Sequence, residues 1–216
     1  MTQYGMVIDL GKCVGCDICT IACNDQFIGN TYPGYSAAQS ETSQFWMDMQ
    51  TLEAGAFPNT QAIHFPLPCM MCENPPCQTA AAGGAVYTRA DGIVLIDPVK
   101  AVGQQQIVSA CPYGKIFWNP TLLLAQKCTF CAQRVDQSLT PSCVLACQTN
   151  AITFGDLSNS TSQVAQQVAA GAKPLHPEYG TKPKVYYLNI PTNTSLLPTI
   201  TSTTVSSSTT TIATSA

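Results

Sequence analysis

Twelve cysteines fall into four runs along the chain, and their spacing is typical of ligands for a soft metal centre. The runs are Cys13, Cys16, Cys19 and Cys23; Cys69, Cys72 and Cys77; Cys111 alone; and Cys128, Cys131, Cys143 and Cys147. A C-x2-C step is too tight for an ordinary disulfide, and it recurs along the chain. Twelve thiolates shared by fours provide for three [4Fe–4S] clusters with no cysteine left over. Such clusters would make the chain an electron conductor.

The first run has the spacing of a bacterial ferredoxin, in which the fourth cysteine binds a second cluster. We call this exchange of the fourth cysteine between two runs the crossing rule. Applied here, it pairs the first run with the last and the second run with the third. The predicted ligands are Cys13, Cys16, Cys19 and Cys147 for cluster 1; Cys23, Cys128, Cys131 and Cys143 for cluster 2; and Cys69, Cys72, Cys77 and Cys111 for cluster 3. Structural zinc on the same cysteines is the alternative that the spacing leaves open.

The charge of the chain excludes some classes of function. The formal net charge is −3, and charged residues make up only 10% of the chain, against about 25% in an ordinary soluble domain. Three oxidised clusters with their thiolates would add about −6. No Lys/Arg cluster is present to neutralise phosphates, so binding to nucleic acid is not expected. A surface with so few charges is expected to be covered by uncharged polar side chains and by a partner.

Short elements are predicted around the cysteine runs. A strand is expected at 6–10, a hairpin at 85–96 that turns at Asp91-Gly92, and strands at 115–119 and 151–154. Asp97-Pro98 resembles a helix start, which predicts a helix over about 99–110. A short amphipathic helix is expected at 161–170, with Val164 and Val168 on one face and Gly171 as its end.

This order of elements predicts an α+β fold with two ferredoxin-like [4Fe–4S] modules, an insertion and an extended C-terminal tail. The predicted divisions are 1–23 with 120–157 for the first module, 24–68 for a cysteine-free insertion, 69–119 for the second module, 158–191 for an extension that wraps a partner, and 192–216 for a Ser/Thr-rich tail. The insertion is expected to pack on a partner or to cover clusters. The tail is expected to dock along another subunit as an extended strap.

No catalytic residue is predicted. His64 and His176 lie far apart in sequence, and the acidic residues are scattered. Lys12, Lys115 and Lys127 adjoin cysteine motifs, where they would offset cluster charge or would be ordinary solvated side chains.

The region from about Val7 to Leu157 resembles the four-cluster iron–sulfur subunits of the DMSO-reductase family of molybdopterin enzymes. In those subunits the third run reads K-C-x-G-C-x-x-C-x-x-A-C-P-Y-G, and the matching stretch here is Lys100–Gly114. The family cysteines are replaced at Ala101, Gln104 and Ile107, and one from the second run is replaced at Ala81. The resemblance implies that these four positions once served one cluster, which is absent here, with its cavity filled by side chains.

Three segments resemble more particularly the small subunit of pyrogallol–phloroglucinol transhydroxylase, a branch that also lacks one cluster. They are 68–74, 84–98 and 180–187. This chain departs from that branch because a Ser/Thr tail stands where the branch has a C-terminal β-sandwich domain.

The resemblance implies a non-catalytic subunit that carries electrons between a large molybdenum or tungsten catalytic subunit and an outside partner, either a membrane anchor or a soluble carrier. Cluster 1 would lie nearest the catalytic subunit, and cluster 3 would be the outer end. The alternative is a transhydroxylase-like complex without net external electron transfer. No signal peptide is evident, so an extracytoplasmic location would require export with a partner that bears a twin-arginine signal. A cytoplasmic location is the alternative.

Overall fold

A computed structural model describes residues 1–41, 44–191 and 198. Its strands are β1 Tyr4–Asp9, β2 Met47–Ala56, β3 Asn59–Pro68, β4 Val86–Thr88, β5 Val94–Ile96, β6 Phe117–Asn119, β7 Leu124–Gln126, β8 Ile152–Asp156 and β9 Val185–Leu188. Its helices are α1 Ile18–Phe27, α2 Pro76–Ala80, α3 Gln106–Ser109, α4 Ala132–Val135, α5 Ser142–Leu145 and α6 Gln163–Ala169, with a 3₁₀ turn at Pro177–Tyr179. Among these described helices, none has the length and apolar character needed to cross a membrane.

A three-stranded sheet holds the two ends of the described chain together, in the order β8–β1–β9. Strand β1 is central: it pairs antiparallel with β8, where Met6 faces Phe154, and parallel with β9, where Met6 faces Val185. Met6, Val7 and Ile8 are all buried, which fits a strand covered on both faces. The strands predicted at 6–10 and 151–154 are both present, with bounds shifted by one or two residues.

The cysteine-free insertion contains a long antiparallel hairpin, β2–β3, in which Met47 pairs with Pro68 and Ala56 with Asn59. The base of this hairpin is buried and its tip is exposed. Trp46 is buried beside Phe27 of α1, with ring centroids 4.7 Å apart. The insertion therefore packs onto the first cysteine region of its own chain, and its packing on a partner remains a prediction.

The hairpin predicted at 85–96 is present as β4–β5, with Gly92 at φ 81° in the turn. The helix predicted over 99–110 is wrong in extent, because only α3 is helical. The expected start exists, since Asp97 Oδ1 accepts hydrogen bonds from the N–H groups of Val99 (2.9 Å) and Lys100 (3.1 Å). Gly103 then takes φ 77°, a left-handed conformation that interrupts a right-handed helix.

The segment that follows β8 also has the predicted short helix. In α6, Val164 is buried, Ser162 Oγ accepts from the N–H of Ala165 (3.2 Å), and Gly171 follows the helix at φ 110°. Strand β9 from the same extension joins the sheet of this chain, so part of 158–191 folds onto its own core. Wrapping around a partner remains a prediction for this extension. The tail, 192–216, lies outside the described residues except for Pro198.

Candidate iron–sulfur sites

The first predicted ligand set lies on the loop between β1 and α1. Cys13 is half-buried and Cys16 is exposed, whereas Cys19 is buried at the start of α1. Gly15 and Asp17 have φ 66° and 57°, which coil the loop between β1 and α1. Burial is the main cause that raises the pKa of Cys19 to about 11, and the charges of Cys13 and Cys147 contribute to that rise. The distant Cys147 is thus an electrostatic neighbour of the first run.

The second set joins two packed helices. Cys23 lies on α1 and Cys143 lies on α5, and these helices pack against each other. Burial raises the pKa of Cys23 well above its ordinary value, and the next largest influences are the charges of Cys128 and Cys131. Burial likewise raises the pKa of Cys143, followed by the charges of Cys131, Cys23 and Cys128. The structure therefore brings the fourth cysteine of the first run to the last run.

The third set is formed by the loop after β3, helix α2 and the chain after α3. Burial raises the pKa of Cys111 to about 12, and the charge of Cys69 is the next largest influence, with Cys77 also contributing. Burial raises the pKa of Cys72 to about 12 as well, with contributions from Cys69, Cys111 and Cys77. Cys111, isolated in sequence, is therefore gathered with the second run.

The surroundings of these sulfurs fit a cubane cage. Backbone N–H groups point at sulfur, from Phe130 to Cys128 Sγ (3.4 Å) and from Ala151 to Cys147 Sγ (3.3 Å). Such hydrogen bonds stabilise a thiolate ligand and help to set the reduction potential of a cluster. Burial opposes ionisation of Cys147, yet hydrogen bonds from the N–H groups of Ile152 and other nearby residues hold its pKa below the ordinary value.

The donor geometry differs from that of a single-ion site. Within 1–41 and 44–191, no three His, Cys, Asp or Glu side chains converge on one point as they would around a single metal ion. A [4Fe–4S] cage is an eight-atom body, so its four thiolates lie further apart than the ligands of one ion. The buried hydroxyl of Thr20, next to Cys19, has no protein partner. A cluster sulfur would be an acceptor for such a hydroxyl.

The four substituted positions occupy one region of the second cysteine half. Ala101 and Ile107 are fully buried in the main core, and Ala81 packs against that core. Gln104 Oε1 accepts from Ala82 N–H (2.8 Å), while its Nε2 donates to Lys100 O (2.8 Å) and Ala82 O (3.2 Å). The amide of Gln104 therefore ties the 101–107 loop to the end of α2, across the gap that the resemblance assigns to a lost cluster.

Three residues near the ligands were not identified from sequence as part of a site. Thr181, in the C-terminal extension, shares a hydrogen bond with Tyr113 Oη (2.7 Å), and its hydroxyl opposes the rise that burial causes in the pKa of Cys72. Ser142 likewise opposes the rise that burial causes in the pKa of Cys131. His64 covers the first loop so closely that a Cβ on Gly15 would lie 2.4 Å from its Nδ1. Ser142 precedes a ligand and could have been suspected, whereas Thr181 and His64 carry no sequence signal for this role.

Comparison with known proteins gives the family. Residues 60–157 match the model of the 4Fe-4S dicluster domain, and the short helices and strands of the structure fit a ferredoxin-like fold. The pyrogallol hydroxytransferase small subunit of Pelobacter acidigallici is 42% identical over 195 residues, which cover 88% of this chain and 70% of that protein. A subunit of the sulfite dehydrogenase of Allochromatium vinosum is 40% identical over 205 residues, which cover 87% of this chain and 83% of that protein.

A third relative is a subunit of the tetrathionate reductase of Salmonella typhimurium, 37% identical over 191 residues, with 87% of this chain and 73% of that protein covered. These relatives are iron–sulfur subunits that are separate from the catalytic subunits, which agrees with the scattered acidic residues and distant histidines of this chain. The chain belongs to the non-catalytic iron–sulfur subunits of the DMSO-reductase family of molybdopterin oxidoreductases.

Proposed function

We propose that this chain holds three [4Fe–4S] clusters in two ferredoxin-like modules and carries electrons between a molybdopterin catalytic subunit and an external redox partner. The observation that supports this most directly is the grouping of the cysteines. Among the neighbouring charges, that of Cys147 acts on Cys13, that of Cys128 acts on Cys23, and that of Cys69 acts on Cys111. Each set combines residues that are far apart in sequence, as the crossing rule requires.

When bound, each cluster would accept and release one electron at a time. The protein supplies the thiolate donors, their backbone hydrogen bonds and a dry surrounding. Burial raises the pKa of most of these thiols, so an empty site favours the neutral, protonated sulfur. Cluster assembly must therefore release protons, and the metal supplies the positive charge that stabilises the buried thiolates.

The two ends of the proposed electron path differ in exposure. Cys16 of the first set is exposed, and the apolar side chains of Val14, Ile21 and Leu145, which adjoin ligands of the first two sets, are exposed as well. We assign this side to the catalytic subunit, since an apolar surface around a cluster is suited to a stable protein contact. The third set would be the outer end, beside an open groove of about 900 Å³ lined by residues that include Gln78 and Thr181.

The lost fourth cluster belongs to this proposal. Replacement at Ala81, Ala101, Gln104 and Ile107 removes one complete ligand set, while twelve cysteines remain for three others. Random decay would have removed single ligands from several sets. The buried side chains of Ala101 and Ile107 and the hydrogen bonds of Gln104 fill and close the region instead.

The decisive experiment counts clusters. The purified complex is reduced with dithionite, and spins are integrated by EPR alongside iron and sulfide analysis. We expect three clusters per copy of this chain, after the clusters of the catalytic subunit are subtracted by measuring that subunit alone. Cys143→Ser and Cys111→Ser should each remove or convert one different cluster. A total of two or four clusters, or zinc in place of iron, would refute the ligand assignment.

A transhydroxylase-like role is the second candidate, favoured by the 42% identity to the pyrogallol hydroxytransferase small subunit. In that case the overall reaction would need no external electrons. Turnover that proceeds without an added electron donor or acceptor would support this role. Turnover that depends strictly on such a carrier would support electron transfer to an external partner, either a membrane anchor or a soluble carrier.

We also propose that the complex is exported, folded, on a twin-arginine signal carried by its catalytic subunit, because a chain with assembled clusters must cross the membrane folded. Sparse charge and the Ser/Thr-rich tail motivate this location over the cytoplasm. The sequence of the partner subunit gives the test. A twin-arginine leader on it is expected, and its absence, together with recovery of the complex in the cytoplasmic fraction, would favour the cytoplasm.

A further inference from the structure

Lys127 is a buried lysine without a carboxylate partner among the described residues. Only 2% of its surface is exposed. Its Nζ donates to the carbonyl oxygens of Val94 and Cys128 (3.1 Å to the latter) and lies 3.9 Å from Met71 Sδ. A buried ammonium is costly unless a negative charge lies nearby, and here carbonyl dipoles supply only part of that compensation.

The other two lysines near cysteine motifs are arranged differently. Lys12 precedes Cys13 as Lys127 precedes Cys128, but the Lys12 side chain is 52% exposed and lies 3.9 Å from Asp9 Oδ2. Lys115 is buried but donates to Asp48 Oδ2 at 2.7 Å, so a carboxylate neutralises its charge. Of these three lysines, Lys127 alone has a charge that is both shielded from water and left without a carboxylate.

Lys127 lies between two ligand sets, because it directly precedes Cys128 of the second set and its Nζ is 3.9 Å from Sδ of Met71, which directly precedes Cys72 of the third set. Burial raises the pKa of Cys77, from the third set, and the positive charge of Lys127 is the largest opposing influence. Burial likewise raises the pKa of Cys128, from the second set; the hydrogen bond from Phe130 N–H opposes this rise most, and the charge of Lys127 opposes it less. The charge of Cys69 also acts on Cys128, so the second and third sets are themselves neighbours.

A second buried lysine, Lys184, also binds this region. Its Nζ donates to Gly92 O, in the same β4–β5 hairpin whose Val94 O accepts from Lys127. Burial lowers the pKa of Lys184, while Glu73, Asp91 and Cys72 oppose that effect. Carboxylates therefore contribute to the surroundings of Lys184, whereas Lys127 faces thiols and carbonyls.

This inference rests on the proposed function. We propose that Lys127 is a positioning residue for electron transfer: a fixed cation that raises the reduction potentials of both cluster 2 and cluster 3 and so keeps these two potentials similar. A positive charge stabilises the more negative, reduced state of a neighbouring cluster. Because Lys127 is excluded from water, its field is weakly screened and acts on both neighbours. Cluster 1, beyond cluster 2, would feel it least.

The test is EPR-monitored redox titration of the purified complex with Lys127→Gln, a neutral side chain that can still donate to Val94 O. At a fixed solution potential we expect the reduced-to-oxidised ratio of two clusters to fall about tenfold, which is about 59 mV for a one-electron couple. The midpoint potential of cluster 1 should stay unchanged. Lys127→Arg keeps the charge and should restore both midpoints, and Lys127→Met removes the charge if the Gln variant does not accumulate.

Lys12→Gln is the matched control, since it removes the exposed lysine that precedes the first run. In this control, the reduced-to-oxidised ratio of each cluster at the same solution potential should stay within about twofold of the wild-type ratio. The proposal is overturned if Lys127→Gln moves no midpoint more than Lys12→Gln does, if all three move equally, or if Lys127→Arg shifts them as much as Lys127→Gln. The spin count of the wild type separates a failure of the three-cluster assignment from a failure of this inference. Thermal unfolding detects a role in stability alone.

Discussion

Two loops of this chain share the first part of their backbone path but differ in the side chains that fill them. The first begins at Asp9 and ends at Cys23, and the second begins at Asp97 and ends at Cys111. In sequence, Lys-Cys-Val-Gly-Cys of 12–16 corresponds to Lys-Ala-Val-Gly-Gln of 100–104. Cys19 then corresponds to Ile107. The final cysteine is retained in both loops, as the crossing rule expects for a residue that binds a different cluster.

The two loops agree in backbone over their first half and diverge after it, since Asp17 has φ 57° whereas the matching Gln105 has φ −65°. The Asp9 carboxylate accepts from Gly11 N–H (3.0 Å), as that of Asp97 accepts from Val99 N–H (2.9 Å). Each aspartate also pairs with the lysine three residues later, at 3.9 and 3.8 Å. Gly15 and Gly103 have φ 66° and 77°. The conformation of the first half of the loop is therefore set by these aspartates and glycines and does not require cysteine.

The contents of the loops are what differ. The first presents thiols to a proposed cluster, and the second presents a buried methyl, a buried isoleucine and an amide that reaches α2. Under the proposed loss of a cluster, two substitutes take its place: apolar volume, supplied by Ala101 and Ile107, and a link between segments, supplied by Gln104.

The strongest test of this equivalence puts the cysteines back. In Ala81→Cys/Ala101→Cys/Gln104→Cys/Ile107→Cys we expect a fourth cluster, seen as about four more iron atoms per chain and an added EPR signal, because the first half of the loop already has the backbone conformation of the cysteine-bearing loop. The variant that lacks only Ala81→Cys is the control and should gain less iron. If the fourfold variant binds no more iron than the wild type, the two loops are not equivalent.

The apolar substitute is tested next. Ile107→Ala should lower the free energy of unfolding by about 2–5 kcal/mol, since it leaves a cavity at a fully buried position. Val102→Ala, at an exposed position of the same loop, should change it by less than about 0.5 kcal/mol. Thermal or chemical unfolding of the complex measures both. Equal effects would mean that Ile107 fills no space that matters to the fold.

The two glycines should respond unequally to alanine. Gly103→Ala carries only the strain of a positive φ, about 1–2 kcal/mol, because a Cβ there has no heavy atom within 4 Å. Gly15→Ala adds a clash with the His64 ring, worth about 1–3 kcal/mol more, and should disturb cluster 1. Comparison of melting temperatures and EPR spectra checks the ranking. A milder effect at Gly15 would show that His64 moves aside freely.

The next largest effect is expected from the hydrogen bonds of Gln104. Gln104→Ala removes two hydrogen bonds from the second loop to Ala82 and one within the loop to Lys100 O, and we expect the free energy of unfolding to fall by about 1–2 kcal/mol because the side chain is only partly buried. Hydrogen exchange at 81–84 should also accelerate. The exposed Gln105→Ala is the matched control, with little expected change in either measurement. Unchanged exchange at 81–84 in Gln104→Ala would argue against a link.

The smallest effect concerns the contact between the two cysteine regions, where Arg89 binds Asp136 (Nη1 to Oδ2, 2.9 Å). This hydrogen bond lowers the pKa of Asp136 below its ordinary value of 3.8. The contact therefore adds stability above that pH and loses it as the pH falls through the lowered pKa. At neutral pH, Asp136→Asn should melt slightly below the wild type and lose less than about 1 kcal/mol of unfolding free energy. This difference should disappear in acid. A gap that widens in acid would contradict this sign.

Several elements could be predicted because their signals are local. Asp91-Gly92 predicted a hairpin turn, and Val164, Val168 and Gly171 predicted a short helix, and both are present. The helix over 99–110 was not predictable by the same reasoning, because Asp97-Pro98 starts a helical turn that Gly103 then stops. A comparison of residues 97–111 with residues 9–23 of the same chain would have predicted a loop, and not a continuous helix, over this segment. Thr181 and His64 reach the sites through tertiary packing and could not be inferred from neighbours in sequence.

From the sequence by itself we could predict the candidate iron ligands and propose the number of clusters they would serve, since thiolate number and spacing are local chemical properties. The sequence also determined the family, through those same motifs. Only the tertiary structure decided that β9 returns to the central sheet, that Gln104 bridges to the segment after α2, and that Lys127 is buried beside carbonyls and thiols. These features depend on contacts between distant residues, where burial and the field of neighbouring charges are fixed by the fold.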